Sequence, residues 1–348
     1  MSDQRIAVVI VSYHSSAHIA GTLASLVQQL RHGDEVVVVD NASRDGTADA
    51  VRSAAPDATV LVQEENVGFA AGCNIGVAAT SAPIILLLNP DAQPAEGCIE
   101  ALRAPAELRP RWGSWQALVT MDGGSTINTS GNVVHFLGMG WVGQLGAPVS
   151  RAPRELREVG FASGAALAVR RDAWVRLGGF DERYFMYGED LDLALRLRLL
   201  GLGVGVAPSA RVEHDYSFHK GNRKWFLLER NRWWTVIGDY PTPVLALVLP
   251  AMVLAELALV VIAARDGWLR EKLRAQVAVT RSLPQMLDRR RRVQSQRRVS
   301  ALDFARHLSA ELENPNLGID RAGSMAGLQG TYWRSVRRLL RLLERRPA

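Results

Sequence analysis

Cysteine is scarce in this sequence, with Cys73 and Cys98 the two among 348 residues. A disulfide framework is therefore not expected, and a reducing compartment is the expected environment. Nothing like a signal peptide precedes the first apolar run, so we expect no secretory leader. The sequence has no internal repeat, and its hydrophobic content of 48% predicts a folded core.

Two common phosphate-binding signatures are absent as well. No G-x-G-x-x-G follows the first predicted strand, and no G-x-x-x-x-G-K-[ST] occurs anywhere in the chain. Because these loops wrap the phosphates in dinucleotide dehydrogenases and P-loop NTPases, both enzyme classes are disfavoured.

Acidic residues are in short supply towards the end of the chain. Residues 265–348 contain 19 Lys and Arg against 8 Asp and Glu, a net charge of +11, whereas residues 1–264 contain 22 against 27, a net charge of −5. The usual partners of such a basic tail are nucleic acid and an anionic membrane surface.

Short apolar runs alternate with helical segments in the first part of the chain. Predicted strands cover residues 5–13, 35–40 and 59–63, and predicted helices cover residues 15–30 and 48–54. This alternation predicts βαβ units with right-handed crossovers, and therefore an α/β fold with a mostly parallel central sheet. The Gly-rich segment 66–76 then begins a further helix that extends to about residue 80.

The apolar run over residues 83–88 has no period-two alternation, which predicts a strand buried on both faces. Pro90 ends this strand, and Asp91 then stands at its carboxyl end, where open α/β sheets bind ligands. A carboxylate beside the amide of Asn89 suits a hard divalent cation that carries phosphates. Taken alone, the stretch is an equally good turn, since Asn, Pro and Asp all favour turns.

Irregular strands are predicted over residues 112–149, a buried strand over 160–169, a helix over 171–177 and a strand over 203–212. Before the last of these, a helix ending at residue 200 begins with three acids behind an aromatic loop: Tyr184, Phe185, Tyr187, Glu189, Asp190 and Asp192. Acids in a first turn can simply complement the helix dipole. A carboxylate partly shielded by aromatic rings is also what a general base requires.

Five motifs follow one another in the chain: Val8–Tyr13, Asp40-Asn41-Ala42-Ser43 with Asp45-Gly46-Thr47, Asn66-Val67-Gly68-Phe69 with Gly72 and Asn74, Asn89-Pro90-Asp91, and Gly188-Glu189-Asp190-Leu191-Asp192. Their order resembles the family-two glycosyltransferases, inverting enzymes of the GT-A fold that use nucleotide sugars. The resemblance is strongest to bacterial rhamnosyltransferase-like members that act on lipid-linked glycans. It covers roughly residues 5–240.

The resemblance implies a role for each matching residue. It implies a donor-binding set made up of Ser12, Tyr13, Asp40, Asn66, Gly68, Asn74, Asn89 and Asp91. Asp190 matches the catalytic base, while Glu189, Asp192 and Tyr187 match the loop that orients the acceptor. Asp91 matches the last acid of the DXD motif, which binds Mg²⁺ or Mn²⁺ on the sugar diphosphate. The first acid of that motif is Asn89 here, so cation affinity is expected to be modest.

His214 follows the last predicted strand, and the resemblance implies that it completes the metal shell or contacts the diphosphate. The alternative is a loop histidine whose hydrogen bonds are satisfied within the protein, because Mg²⁺ prefers oxygen ligands. Basic residues interleaved with tryptophans come next, and four of them are candidate diphosphate ligands: Lys220, Arg223, Arg230 and Arg232. The same interleaving occurs at membrane surfaces and in single-strand nucleic-acid binders.

Residues 242–264 form the most apolar segment and would be long enough as a helix to cross a bilayer. Pro250 and Glu256 interrupt it, and a single span would place the basic tail outside, against the positive-inside tendency. An in-plane or re-entrant helix therefore fits better, followed by basic amphipathic helices over residues 268–287 and 333–346. The alternative is an ordinary helical subdomain with a solvated Arg face.

We therefore expect two domains, a GT-A domain over residues 1–240 and a helical, basic, membrane-associating region over residues 241–348. The expected activity is inverting transfer of a sugar, rhamnose from dTDP-rhamnose, to a lipid-linked or cell-envelope glycan at the cytoplasmic face of the membrane. The donor could equally carry UDP, and a homodimer is an open alternative to a monomer. Two competing hypotheses are a catalytically weak scaffold of the same fold and a nucleic-acid-binding protein. The second is disfavoured, and no nucleic-acid partner is expected, because residues 1–264 are net acidic and no nucleic-acid fold motif is present.

Overall fold

A computed structural model describes residues 3–214, 221–311 and 323–344, the side chains of residues 323–326 excepted. Its strands are β1 Ile6–Ser12, β2 Glu35–Asp40, β3 Thr59–Val62, β4 Ile84–Leu88, β5 Gln93–Pro94, β6 Trp112–Met121, β7 Thr126–Thr129, β8 Asn132–Val134, β9 Gly140–Val142, β10 Arg157–Glu158, β11 Ala166–Arg170 and β12 Gly203–Glu213. Its helices are α1 Ile19–Val27, α2 Thr47–Ala54, α3 Phe69–Ala78, α4 Cys98–Leu108, α5 Arg171–Leu177, α6 Glu189–Leu199, α7 Arg223–Asp239, α8 Thr242–Arg265, α9 Leu269–Ser295, α10 Ala301–Ala305 and α11 Gly323–Glu344.

In the part of the chain that the structure describes, ten strands form one mixed sheet in the order β10-β12-β6-β11-β4-β1-β2-β3, with β5 beside β12 and β7 beside β6. β4, β1, β2 and β3 are parallel, and β11 runs antiparallel between β4 and β6. The prediction of an α/β fold with a mostly parallel central sheet is confirmed. The register pairs Ser12 of β1 with Asp40 of β2, and Ile10 of β1 with Leu88 of β4. The carboxyl ends of these three strands therefore meet at one edge of the sheet.

Both β1 and β4 are buried along their whole length, as their uninterrupted apolar runs predict. Helix α3 packs closely on β1 and β2 because it carries glycine where it faces these strands. A Cβ at Gly76 would lie 2.3 Å from Cγ1 of Val9, and one at Gly72 would lie 2.7 Å from Cγ1 of Val11. This close packing fixes the start of α3 near the carboxyl ends of β1 and β2.

Two expectations about local structure need correction. The strand expected over residues 160–169 begins only at Ala166, because the backbone N–H of Gly164 donates to the carboxylate of Asp190 rather than to a neighbouring strand. No helix was expected over α4, which contains Pro105, a residue that ordinarily breaks helices. In the structure Pro105 lies in the last turns of α4, and Arg103 anchors the helix by a buried ion pair with Asp34 at 2.5 Å.

Contacts divide the described chain into two compact units. The sheet unit extends to Asn132 and includes Val142–Leu197 and the strand that follows Leu202; the helical unit includes Val133–Trp141, Arg198–Gly201 and the helices from α7 onwards. By its contacts, α7 therefore belongs to the helical unit, together with the helices that follow it. The division at residue 240 stays a prediction.

Candidate functional site

The turns that follow β1 and β2 are held together by hydrogen bonds. The backbone N–H of His14 donates to Oγ of Ser43 at 2.9 Å, and the N–H of Ser43 donates to Oδ1 of Asp40 at 3.2 Å. Both turns contain a residue in the left-handed region, His14 with φ 51° and Ala42 with φ 60°. Strained backbone of this kind clusters at functional sites.

These turns place the first predicted donor residues at the same edge of the sheet. Ser12 and Asp40 are buried at the ends of their strands, whereas Tyr13 is 52% exposed. Tyr13 follows Ser12, which pairs with Asp40 in the sheet, so an exposed ring and a carboxylate that accepts a backbone N–H lie at the same edge. An aromatic face beside a carboxylate is suited to a nucleobase and its ribose.

The loop before α3 packs against the loop before α6. Oδ1 of Asn66 accepts the N–H of Gly68 at 2.9 Å, and the Asn41 amide donates to the Gly68 carbonyl at 3.1 Å. Gly68 has φ +89°, and a Cβ there would lie 2.6 Å from the carbonyl oxygen of Phe185. Glycine is therefore required at this position by both its conformation and the close approach.

Asn74, further along α3, binds the loop that leads to α6. Its Nδ2 donates to the carbonyl of Phe180 at 2.9 Å and to Oε1 of Glu182 at 3.0 Å, while its Oδ1 accepts the N–H of Phe180 at 3.0 Å. These contacts commit the Asn74 amide to the chain itself. The residue positions the loop that leads to α6, which the sequence alone could not show.

Asp91 and His214, far apart in the sequence, meet at the carboxyl end of β4. Oδ1 of Asp91 lies 3.1 Å from Nε2 of His214, and Nδ2 of Asn89 lies 3.4 Å from the same nitrogen. The backbone of His214 is fixed on both sides, because its N–H donates to Thr120 at 2.8 Å and its carbonyl accepts from Asn128 at 2.9 Å. The Asp91 carboxylate is 39% exposed, so it is reachable from outside.

The donor set here is one carboxylate, one imidazole and one amide. Within residues 3–214, 221–311 and 323–344, no group of three or more His, Cys, Asp or Glu side chains could hold a metal ion. The set fits a cation that takes its remaining ligands from water and phosphate, as phosphate-bound Mg²⁺ and Mn²⁺ do.

Asp190 lies in the first turn of α6, with both carboxylate oxygens held by backbone N–H groups. Oδ2 accepts from Gly164 at 3.1 Å and Oδ1 accepts from Leu191 at 2.8 Å. Burial raises the pKa of Asp190, and the two backbone hydrogen bonds partly oppose that effect. A carboxylate with a raised pKa and a fixed orientation is suited to accept a proton near neutral pH.

The two neighbouring acids have different environments. Burial, and then the charge of Asp190, raises the pKa of Glu189 well above its usual range, and Oε2 of Glu189 has no hydrogen-bond partner. Asp192 is fully buried and pairs with Arg196 at 2.6 Å, while Tyr184 donates to it at 3.0 Å. Glu189 therefore favours its neutral form, and Asp192 ties the aromatic loop to α6.

The aromatic loop has a strained backbone just before Asp190 in the sequence. Phe185 has φ 63° and Tyr187 has φ 70°, and Gly188 follows with φ 85°. Non-glycine residues adopt such values only where surrounding contacts impose them. These φ values turn the chain sharply into α6. Tyr187, a predicted acceptor residue, precedes Asp190 by three residues in the sequence.

The sequence is similar to known glycosyltransferases. The sequence profile described as Glycosyl transferase family 2 matches residues 7–174. The N-acetylglucosaminyl-diphospho-decaprenol L-rhamnosyltransferase of Mycobacterium tuberculosis is 32% identical over 236 residues, which is 62% of this chain and 77% of the relative. The chain belongs to glycosyl transferase family 2. The pre-mycofactocin glycosyltransferase of the same organism is 33% identical over 205 residues, covering 57% of this chain and 40% of that relative.

Two solved structures share the fold of this family-2 glycosyltransferase. The crystal structure of GalNAc-T7 with UDP, GalNAc and Mn²⁺ has a TM-score of 0.55 at 16% identity, covering 68% of this chain and 48% of that one. The crystal structure of TarS from S. aureus has a TM-score of 0.51 at 16% identity, covering 72% of this chain and 43% of that one. The chain thus spans about half the length of each or less, and the likeness identifies a GT-A fold.

The four candidate diphosphate residues of this glycosyltransferase have different surroundings. Lys220 lies outside the described residues. Arg223 is exposed at the start of α7, and Arg230 stacks over Phe226 with its Nε bonded to Asn231 at 2.9 Å. Arg232 is buried in ion pairs with Glu229 and Glu256, so its charge is already balanced inside the helical unit. Arg232 is therefore not a diphosphate ligand candidate in the structure.

Sequence reasoning missed four residues that hold the site in place. Thr120 and Asn128 fix the backbone of His214, Gly164 donates to Asp190, and Gln116 accepts the N–H of the adjacent Ser163 at 2.8 Å. Thr120, Asn128 and Gln116 lie in the segment that was expected to form irregular strands around a site. For Asn128 and Gln116 the available signal was a buried polar side chain in a predicted strand segment, because such groups need partners. Thr120 acts through its backbone carbonyl, which the sequence does not mark.

Proposed function

We propose that this chain is an inverting glycosyltransferase that transfers rhamnose from dTDP-rhamnose to a polyprenyl-diphosphate-linked or other cell-envelope glycan. The observation that carries the chemistry is the orientation of the Asp190 carboxylate by the backbone N–H groups of Gly164 and Leu191. The substrates are supported by the relative named for L-rhamnosyl transfer to an N-acetylglucosaminyl-diphospho-decaprenol.

In this proposal Asp190 accepts the proton of the acceptor hydroxyl as the oxygen attacks the anomeric carbon. One in-line displacement forms the new glycosidic bond, breaks the bond to the nucleoside diphosphate and inverts the anomeric configuration. Glu189 stays neutral beside the base, so the first turn of α6 does not gather a third negative charge. Asp192 holds the loop through Tyr184.

Asp91 and His214, with Asn89 beside them, are the residues that would hold a divalent cation. When bound, the cation would neutralise the charge on the leaving diphosphate. The Mn²⁺ in the GalNAc-T7 structure supports a divalent cation for this fold. Mixed carboxylate and imidazole donors suit Mn²⁺ better than Mg²⁺, which prefers oxygen alone.

A transfer assay tests the proposal directly. The purified chain is incubated with Mn²⁺, a polyprenyl-diphosphate-linked N-acetylglucosamine and a panel of dTDP-, UDP- and GDP-sugars, and products are identified by mass spectrometry. We expect transfer from dTDP-rhamnose and a product of inverted configuration by NMR. Transfer from a different donor alone would replace rhamnose in the proposal, and a retained configuration would contradict the displacement.

The lipid part of such an acceptor places the reaction at a membrane. We propose that the protein works at the cytoplasmic face, where nucleotide sugars are made, as a peripheral or monotopic protein. Cell fractionation followed by protease treatment of intact spheroplasts tests this location. Digestion of the sheet unit from outside intact spheroplasts would contradict it.

A further inference from the structure

Helix α8 has a continuous apolar face that is exposed. Among described residues it is the one helix long and apolar enough to cross a membrane. Its exposed large side chains recur at helical spacing and form what we call the α8 stripe: Leu249, Val253, Leu254, Leu257 and Val261. The three most exposed of these, Leu254, Leu257 and Val261, are 68%, 64% and 68% exposed, and no charged residue interrupts the stripe. A contiguous apolar surface of this kind marks an interaction site.

The side of α8 that packs on the other helices is apolar and consists of Val244, Val248, Met252, Leu259 and Ala263. By its helical position, Glu256 lies at the margin between this side and the α8 stripe. Glu256, the one charged residue between Thr242 and Arg265, receives Nζ of Lys272 and Nε2 of Gln276, each at 2.6 Å, and also the guanidinium of Arg232. Lys272 and Arg232 in turn pair with Glu229 on α7. The charge of Glu256 is therefore turned into the helical unit and balanced there.

This two-sided arrangement is incompatible with lipid on every side of α8. A spanning helix would carry into the hydrocarbon the partners that balance Glu256, together with the neighbouring turns of α9. Those turns expose Arg270, Arg274 and Arg281. Charged side chains of this number at membrane depth are strongly disfavoured, whereas an in-plane helix needs lipid on one side only.

We propose that α8 lies in the plane of an anionic membrane surface, with the α8 stripe among the acyl chains and Glu256 facing the protein. The proposal rests on the proposed function in one respect, namely that the acceptor is a membrane lipid. It adds the surface that meets the membrane and the orientation of the one helix that could have crossed it.

The charge of the helical unit favours lipid over a second copy of this chain. The exposed side chains of α9 and α11 include Arg270, Arg274, Arg334, Arg338 and Arg341. Residues 265–348 carry a net charge of +11, so two copies meeting through α8 would bring like charges together, whereas anionic headgroups attract them. An apolar stripe with basic residues nearby is typical of interfacial helices.

Vesicle binding tests the stripe with matched controls. Purified wild type and the double variant Leu254→Glu/Leu257→Glu are co-sedimented with vesicles of phosphatidylglycerol and phosphatidylcholine in equal parts. We expect the double variant to lose about tenfold or more in partitioning. The control Leu108→Glu/Val175→Glu changes residues of the sheet unit that are 66% and 68% exposed and should bind as the wild type does.

Equal binding by wild type and the α8 double variant would overturn the proposal. It would also be overturned if the wild type does not bind vesicles and sedimentation shows a dimer that the α8 variant dissolves, because the stripe would then be a contact between copies. Circular dichroism and thermal unfolding confirm that both double variants remain folded, and a third variant, Val261→Ser, tests the stripe without adding charge.

Orientation is tested by labelling both ends of α8. Thr242→Cys and Arg265→Cys, each in a Cys73→Ser/Cys98→Ser background, are treated with a membrane-impermeant maleimide in inverted and right-side-out membrane vesicles. An in-plane helix predicts that both ends react from the cytoplasmic side alone. Reaction of the two ends from opposite sides would show that α8 spans the membrane and would overturn the proposal.

The α8 variants also separate this inference from the proposed function. With a short-chain, water-soluble acceptor, Leu254→Glu/Leu257→Glu should keep wild-type transfer, because the stripe is outside the catalytic residues. With a long-chain acceptor in vesicles its rate should fall about as far as its binding. If the wild type transfers no sugar to either acceptor but binds vesicles, the proposed function fails and the α8 proposal stands.

Discussion

Asp190 differs from other acids in first helical turns because both of its oxygens accept backbone N–H groups and its pKa is raised by burial. We predict that Asp190→Asn lowers kcat by about 10²- to 10⁴-fold, the usual contribution of a general base, with little change in the KM for the donor. Steady-state kinetics measures both. Asp172→Asn, at the exposed first turn of α5, is the matched control and should leave both constants unchanged.

Glu189 gives a pH-dependent prediction about stability. Its pKa is raised in the folded protein, so above the pKa of about 4.3 of an unfolded glutamate the folded state holds a proton that the unfolded state has released. The stability that this proton provides is complete below that pH and is lost as pH rises towards the folded pKa. Glu189→Gln removes this dependence.

Urea unfolding of wild type and Glu189→Gln between pH 5 and pH 8 checks the sign. As pH rises, the free energy of unfolding of the wild type should fall relative to that of the variant by up to about 1.4 kcal/mol per pH unit. Because Gln matches the neutral acid, kcat should remain near the wild-type value. A constant difference in stability across this range would mean that Glu189 ionises normally in the folded protein.

The proposed cation site predicts an unequal effect of two neighbouring substitutions. Asp91→Ala removes the carboxylate whose Oδ1 lies 3.1 Å from Nε2 of His214 and should raise the Mn²⁺ concentration for half-maximal activity by about 10- to 100-fold, whereas Asn89→Ala should raise it less. EDTA should abolish activity, and Mn²⁺ should restore it better than Mg²⁺. Equal losses in the two variants would mean that the cation is held elsewhere.

At the scale of elements, the loop before α3 and the loop before α6 depend on each other through one glycine. Gly68→Ala would place a side chain at φ 89° and ψ 170°, a conformation open essentially to glycine alone, and against the carbonyl of Phe185 at 2.6 Å. We predict a loss of about 2–4 kcal/mol in unfolding free energy and a higher KM for the donor, because the clash adds to a conformational penalty of about 1–3 kcal/mol.

Gly46→Ala is the comparison for a glycine of positive φ without a clash. Gly46 has φ 84° and ψ 10°, a left-handed conformation that costs another residue about 1–2 kcal/mol, and a Cβ there would meet nothing within 4 Å. It should therefore lose only that smaller penalty, measured by chemical unfolding of both variants in parallel. Equal losses at the two positions would show that neither the contact with Phe185 nor the extended ψ of Gly68 adds to the penalty.

Elements with uninterrupted apolar runs could be predicted from the sequence. The ends of β1, β2 and β4 match the expected strands within a residue or two, and α5 agrees with its expected range. The misplaced start of β11 and the missing α4 share a cause, since each depends on a partner remote in the sequence. Gly164 meets Asp190 and Arg103 meets Asp34, and no local pattern reports such pairs.

The same limit applies within the site. Asp91, Asp190 and His214 are predicted from motif order and strand ends, and the structure brings Asp91 and His214 together, while their roles stay a prediction. The contacts of Asn74 and Arg232 could not be found, because an amide or a guanidinium has the same sequence signature whether it meets a ligand or another side chain. Their partners are set by packing of whole elements.

For the whole molecule, the two opposite net charges bear on how it would meet the proposed membrane surface. The first 264 residues are net acidic and the remainder is basic, so an anionic surface would orient the chain as well as attract it. The apolar stripe of α8 does not respond to salt, whereas the arginines do. Membrane binding should therefore have one salt-sensitive part and one salt-resistant part.

This division predicts the effect of removing exposed arginines from α11. Arg334→Gln/Arg338→Gln/Arg341→Gln should weaken binding to anionic vesicles by about 3 kcal/mol at low salt, at about 1 kcal/mol per residue. The loss should shrink towards zero in 0.5 M NaCl and on pure phosphatidylcholine, where the stripe alone contributes. Vesicle titrations at several salt concentrations measure it.

A control with the same change in net charge decides whether position matters. Arg52→Gln/Arg154→Gln/Arg176→Gln removes three exposed arginines from the sheet unit. If the basic helices alone contact the lipid, this control should lose well under 1 kcal/mol, because charges beyond a Debye length of about 8 Å from the headgroups are largely screened. Equal losses in the two triple variants would mean that net charge alone, rather than the face formed by the basic helices, attracts the protein to the membrane.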